Sequence, residues 1–121
     1  MSDLEKYKEL CDKILKINDH IRYVGIFDKK LFVSKQREGL KNLLTEDETK
    51  ESFSNTISMW EFRKQLATKL GNGIYSMTVY SKIIRLSIPF HKECLLLVSI
   101  DTIESHPEIV AKILKFKASY F

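Results

Sequence analysis

Hydrophobic positions along the chain change several times between helical and strand spacing, and each change marks a new element. Near the N-terminus, apolar residues recur every three or four positions with charges between them, as on one face of a helix. Ser2 and Glu5 stand at the start of this run with the spacing of a capping box. The pattern therefore predicts an amphipathic helix that ends near Asp19. The residues that follow this spacing are Leu4, Tyr7, Cys11, Ile14, Leu15 and Asn18.

Two runs of β-branched and aromatic residues follow, "IRYVGIF" (Ile21–Phe27) and "LFVSK" (Leu31–Lys35). Runs of this composition are typical of strands, and the short Asp28–Lys30 segment between them predicts a hairpin turn. After the hairpin we expect a short helical turn at Gly39–Leu44.

A long helix is predicted next. Thr45 and Glu48 form a second capping box, and the acidic residues around them favour a helix start through the helix dipole. The Gly71-Asn72-Gly73 segment is a strong stop signal. The inward stripe of this helix is predicted to be Phe53, Ile57, Trp60, Arg63, Leu66 or Ala67, and Leu70.

Three strands and a last helix complete the pattern. The strands are predicted at Ile74–Ser81, Ile83–Phe90 and Glu93–Ile100, and the last of them is apolar on both faces, as in a central strand covered from both sides. A third capping box at Ser105–Glu108 opens the final helix, whose stripe consists of Ile109, Val110, Ile113, Leu114 and Tyr120. The order of elements is α-β-β-α-β-β-β-α, without a linker or a repeat, so we expect a single domain over residues 1–121.

In its element order and lengths, the chain resembles the roadblock / dynein light chain family of the profilin-like and longin-like group. The resemblance implies an α+β fold whose five-stranded antiparallel sheet has the order 2-1-5-4-3. It also implies helices on both faces, with the first and last helices on one face and the long helix on the other. Hairpins in such domains usually carry a glycine in the turn, whereas "FDKKLF" has none. The geometry of the Asp28–Lys30 turn is therefore left open.

A second resemblance is to a small archaeal family from ammonia-oxidising archaea. It rests on "KYKELCDKIL", "IRYVGIFDKK", "QREGLK" and "LLLVS". This second resemblance carries little functional information.

Composition places the chain in a broad class. It has 121 residues, about one domain, and no apolar run approaches the roughly 18–20 residues needed to span a bilayer. The N-terminal "MSDLEKYKEL" carries charges where a signal peptide would need an apolar stretch. Cys11 and Cys94 stand far apart in apolar contexts, as buried thiols in a reducing compartment do. We therefore expect a soluble cytoplasmic protein.

The positive charge is concentrated near the predicted hairpin. The net charge is +4, and six basic but only two acidic residues lie between Arg22 and Lys41, so the whole excess falls in this region. A phosphate contact is one interpretation, because cationic side chains bind phosphates in a salt-dependent way. The other interpretation is a sheet edge protected from aggregation by lysines. The candidate basic patch consists of Lys29, Lys30, Lys35, Arg37 and Lys41.

The opposite edge of the expected sheet lacks that protection. "GNGIYSMTVYS", Gly71 to Ser81, contains no charged residue. Pairing with a second copy about a two-fold axis would bury such an edge, and the roadblock resemblance implies the same homodimer, with the long helices packed alongside. The candidate dimer-interface residues are Tyr75, Met77, Val79, Tyr80, Phe62 and Trp60.

Catalytic and metal-binding patterns are sparse. His91 and Cys94 have H-x-x-C spacing, but a closed tetrahedral zinc site needs four ligands, and no second pair is available. No nucleophile elbow, P-loop or HExxH motif is present. We therefore predict no catalytic residue, no metal and no cofactor.

The function that the resemblance implies is that of a non-enzymatic scaffold, because roadblock proteins act as scaffolds and as partners or regulators of small GTPases. Two alternatives stay open. One is a PAS-like sensor of a small ligand, which shares the strand order but usually has several short helices between its second and third strands. The other is a weak nucleic-acid-binding protein that acts through the Arg22–Lys41 region.

Overall fold

The computed structural model describes residues 2–29, 31–90 and 94–120. Its helices and strands follow the predicted order α-β-β-α-β-β-β-α, which is confirmed. They are α1 (Asp3–Leu15), β1 (Ile21–Phe27), β2 (Phe32–Gln36), α2 (Glu46–Leu70), β3 (Ser76–Val79), β4 (Ile83–Phe90), β5 (Cys94–Asp101) and α3 (His106–Tyr120).

The five strands form one sheet in the order β2-β1-β5-β4-β3. Every neighbouring pair is antiparallel, as the strand registers show. The predicted α+β class and strand order are thus confirmed. β1 and β5, whose sequences are apolar on both faces, lie in the middle, and β2 and β3 form the two edges.

The chain divides into two compact units, Gly39–Ile74 and the remainder, which holds the sheet together with α1 and α3. In the sheet unit, one face of the strands carries alternate apolar residues, and α1 and α3 cover these residues with Leu10, Ile14, Ile109 and Ile113. Each of these four side chains is almost fully buried. Removal of this apolar area from water is the main stabilising contribution to the unit.

Helix α1 ends at Leu15, before the predicted end near Asp19. A distant residue contacts this helix end. The Arg37 side chain, at the end of β2, donates hydrogen bonds to the carbonyl oxygens of Leu15, Asn18 and Ile21. A cation at the last carbonyls of a helix is favourable, so Arg37 stabilises the end of α1 and the turn that leads into β1.

The hairpin between β1 and β2 turns without glycine because Lys29 takes its place. Lys29 has a φ of 73°, in the left-handed region that glycine usually occupies. The Asp28 carboxylate accepts the Leu31 N–H at 2.8 Å and the Tyr7 O–H at 2.9 Å. The side chain of Asp28 therefore holds the turn and ties it to α1.

The predicted helical turn at Gly39–Leu44 is wrong. The segment contains turns and bends but no helix, and Gly39 has a φ of +83°, which interrupts right-handed helical geometry. The helix begins only after Thr45, where both hydrogen bonds of the predicted capping box are present.

Helix α2 ends at the predicted glycine stop. Gly71 has a φ of 87°, and its N–H donates to the carbonyl oxygen of Ala67 at 2.8 Å. Further along, the Trp60 ring lies so close to Gly73 that a Cβ atom there would stand 2.6 Å from it. The Arg63 guanidinium lies over the same ring, 4.7 Å from its centroid. The glycine at position 73 therefore allows the chain to pass against the only tryptophan.

The remaining caps differ in detail from the prediction. At α1, Ser2 Oγ accepts the Glu5 N–H at 3.2 Å, as expected. At α3, the His106 ring donates from Nδ1 to the Ile103 carbonyl oxygen at 2.7 Å, and the Glu108 N–H donates to the Ser105 carbonyl oxygen. The start of α3 is thus held by an imidazole and a backbone turn.

Candidate self-association surfaces

The open side of β3 can be derived from its pairing with β4. The Tyr80 N–H donates to the Ile83 carbonyl oxygen at 2.8 Å, and hydrogen-bonded pairs alternate along an antiparallel ladder. Thr78 and Ser76 therefore bond to β4, whereas the N–H and C=O groups of Met77 and Val79 point away from it. No further strand of the described chain lies beyond β3, so these groups face the open edge.

The side chains at this edge are apolar and exposed. Tyr75, Met77, Val79 and Tyr80 are between 38% and 52% exposed, and no charged residue lies among them. Met77 and Val79 stand opposite Leu86 and Ile84 and share the face of the sheet that carries the buried core. The prediction of an unprotected edge strand is confirmed, although β3 spans only Ser76–Val79. Its assignment to a dimer stays a prediction.

The other edge, β2, is different. The Lys35 ammonium donates to the Asp12 carboxylate of α1, and this hydrogen bond raises the pKa of Lys35. A lysine paired in this way at an edge strand hinders the addition of another strand. The two edges of the sheet are therefore chemically unlike.

A second exposed apolar surface lies on α2. Met59, Phe62, Leu66 and Leu70 recur at helical spacing and are 37% to 77% exposed. They stand roughly a third of a turn around the helix from Trp60. The sequence pattern left either Leu66 or Ala67 on the inward stripe, and Ala67 is the less exposed of the two. The assignment of Leu70 to that stripe is wrong, because its side chain is 77% exposed. We name these four residues the α2 stripe.

The two predicted interface residues of α2 have different environments. Phe62 belongs to the α2 stripe and is 53% exposed. Trp60 is only 6% exposed and packs against Gly73 and Arg63. Sequence reasoning identified Phe62 but missed Met59, Leu66 and Leu70, although their spacing from Phe62 was a usable signal.

The basic patch is partly engaged in the fold. Arg37 donates to three backbone carbonyl oxygens, and Lys35 is paired with Asp12. Lys29 occupies the hairpin turn, and Lys41 is exposed ahead of α2. Lys30 lies outside the described residues. The structure thus assigns structural contacts to Arg37 and Lys35, and phosphate binding by the patch stays a prediction.

One group of ionisable residues joins the ends of β1 and β5. Asp101 accepts hydrogen bonds from Arg22 at 2.9 Å and from the His20 ring at 3.1 Å. Burial alone would raise the pKa of Asp101, but these two hydrogen bonds outweigh it and lower the pKa. The carboxylate is therefore held in its charged form as a structural ion pair.

A second group surrounds Tyr7. Its hydroxyl lies 2.9 Å from the Asp28 carboxylate and 3.6 Å from the Cys94 sulfur. Burial raises the pKa of Tyr7, and the hydrogen bonds to Cys94 and Asp28 raise it further. Burial also raises the pKa of Cys11 to about 12, so that thiol is unreactive at neutral pH.

Further features bear on the remaining predictions. Among the described residues, no three His, Cys, Asp or Glu side chains are grouped so as to hold a metal ion. His91, the predicted partner of Cys94, lies outside those residues.

No helix in the described part of the chain is both long and apolar enough to cross a membrane. Between β2 and β3 the structure has the single 25-residue helix α2, rather than the several short helices usual in a PAS domain.

Neither a protein-family model nor a curated protein matches the sequence. Solved structures do match. MglB from Myxococcus xanthus shares 16% identity over 94% of this chain and 93% of its own, with a TM-score of 0.65. MglB with a tetrameric arrangement shares 14% identity over 98% of this chain and 90% of its own, with a TM-score of 0.68. A Roadblock/LC7 domain from Streptomyces avermitilis shares 9% identity over 93% and 94%, with a TM-score of 0.60. The chain therefore has a roadblock-like fold.

Proposed function

We propose that this protein is a non-enzymatic, homodimeric interaction module that presents a two-fold surface to a protein partner. The observation that carries the proposal is the uncharged, exposed edge strand β3, whose outward backbone groups belong to Met77 and Val79. An open edge of this kind is a template for strand addition, and proteins normally cover or charge it. A second copy of the same edge is the simplest cover, because it is already matched in length and polarity.

The α2 stripe supports the same proposal from the other unit of the chain. Met59, Phe62, Leu66 and Leu70 form a seam with the spacing of helix-pairing positions. Large exposed apolar groups that share one helix face are typical of a protein interface. MglB, one of the proteins of similar fold, adopts a tetrameric arrangement.

The first experiment measures the oligomeric state. We expect light scattering at micromolar concentration to give a dimer. Val79→Glu places a charge in the β3 contact and should weaken association at least about 100-fold, because an unpaired charge in an interface costs several kcal/mol. Phe62→Glu should do the same for the α2 stripe.

Two matched controls add the same charge elsewhere. Ala118→Glu lies on the exposed side of α3, and Ser54→Glu lies on an exposed side of α2 away from the α2 stripe. Both should remain dimeric, and circular dichroism should show all four variants folded. A monomeric wild-type protein would refute the proposal.

The partner that the roadblock resemblance suggests is a small GTPase. Affinity capture from a lysate of the source organism, with wild type and Val79→Glu as bait and mass spectrometry as readout, tests this part. We expect wild type to retain a small GTPase and the dimer-defective variant to lose it. If wild type retains other proteins but no GTPase, the GTPase assignment is wrong while the dimer can still stand.

A further inference from the structure

The register of the proposed β3 contact follows from the backbone alternation. Of the four residues of β3, only Met77 and Val79 direct their N–H and C=O groups to the open edge. Two antiparallel strands exchange hydrogen bonds only between residues whose groups face each other. In any pairing of two β3 strands, Met77 must therefore bond to Met77 or Val79 of the partner subunit, or to a residue of the partner subunit outside β3. The same condition holds for Val79.

One register uses all the available groups. If Met77 pairs with Val79 of the partner subunit, the two-fold axis makes Val79 pair with Met77 of the partner subunit. All four outward groups of each strand are then bonded within regular strand geometry. In one neighbouring register Met77 pairs with its own copy, and Val79 must bond to Tyr75, which lies outside β3. In the other, Val79 pairs with its own copy, and Met77 must bond to Ser81, which also lies outside β3.

We propose that β3 pairs with its own copy in the register in which Thr78 lies on the two-fold axis. This inference rests on the proposed dimer and adds its geometry. Thr78 then faces Thr78 of the partner subunit as a non-hydrogen-bonded pair, with Cα atoms about 4.5 Å apart.

The side chains suit this register. On the face that carries the core, Met77 lies beside Val79 of the partner subunit, so both apolar side chains gain an apolar neighbour. On the other face, two threonines meet at the axis, and threonine pairs are favourable across strands. No charged residue is brought opposite another, because β3 has none.

Cysteine substitution distinguishes the registers. A disulfide requires Cα atoms about 4.4–6.8 Å apart. Thr78→Cys should form an intersubunit disulfide rapidly under mild oxidation, read on non-reducing gels. The two copies of residue 77, and likewise of residue 79, stand diagonally at about 7–8 Å, so Met77→Cys and Val79→Cys should react at least about tenfold more slowly. Cys11 and Cys94 are buried, so wild type should form none.

Each result has a distinct meaning. Faster reaction of Met77→Cys or Val79→Cys than of Thr78→Cys would overturn the register, with the axis shifted by one residue. If none of the three forms a disulfide while light scattering shows a dimer, the β3 pairing is wrong and the dimer itself stands. A monomer in light scattering would overturn both the register and the proposed function.

Discussion

Replacement of Arg37 by methionine should destabilise the fold, because this side chain holds the end of α1. Its guanidinium donates to the carbonyl oxygens of Leu15, Asn18 and Ile21, and it is half-buried. Hydrogen bonds that involve a charged group contribute about 1.5–3 kcal/mol each, but three bonds from one group do not add fully. We expect a loss of about 2–4 kcal/mol in the free energy of unfolding.

The assay is chemical denaturation at a fixed protein concentration, because self-association would make stability depend on concentration. Arg37→Lys keeps the charge but not the planar fork of donors, so it should recover only part of the loss. Lys35→Met is the matched control. It removes an exposed ion pair, which contributes about 0–1 kcal/mol.

The two interpretations of Arg37 give opposite results. A phosphate-binding arginine exposed to solvent would change stability by less than about 0.5 kcal/mol when replaced. If Arg37→Met has the stability of wild type and the same denaturant dependence, the helix-end role described above is refuted. The basic region would then regain its interpretation as a binding patch.

Three further predictions concern single positions. Gly73→Ala should lower the free energy of unfolding by about 1–3 kcal/mol and shift the fluorescence of the only tryptophan, because the added Cβ would overlap the Trp60 ring. Unchanged emission would contradict this expectation, and Ser54→Ala is the control. Lys29→Gly should raise the free energy of unfolding, measured by denaturation, by up to about 1 kcal/mol, since relief of the left-handed backbone strain at this position exceeds the added entropy of the unfolded chain. A lower stability of the variant would show that the turn is unstrained. The lowered pKa of Asp101 means that its contribution is complete above the ordinary value of 3.8 and disappears as pH falls through the lowered pKa. Asp101→Asn should therefore reduce the loss of stability on acidification below about pH 4, and an unchanged pH profile would refute the ion-pair role.

The sequence predicted most of the architecture because the relevant signals are local. Alternation in β4, the double-sided apolar sequence of β5 and the capping box at Thr45 each depend on neighbouring residues. One failed prediction depends on a distant contact. The end of α1 is determined by Arg37, 22 positions beyond Leu15 in sequence.

Of the two candidate surfaces, the sequence alone reveals one in full and the other only in part. The uncharged edge at Met77 and Val79 could be read from the chain, because an edge strand follows from the strand order and its lack of charge is visible. The α2 stripe could not be read fully, since Leu66 and Ala67 are adjacent and either could face inward. Only the position of Trp60 against Gly73 establishes which side of α2 is covered.

The two edges of the sheet differ in charge, and this difference affects how the sheet can associate. β2 carries Lys35, already paired with Asp12, while β3 carries no charge and exposes Met77 and Val79. A sheet with one charged edge and one uncharged edge adds a strand more readily at the uncharged edge. The proposed self-pairing through β3 would close after two copies, because such a dimer would leave only its β2 edges outermost. If the proposed β3 pairing forms, Lys35 at β2 should hinder further strand addition, so that the sheet stops at a pair of subunits.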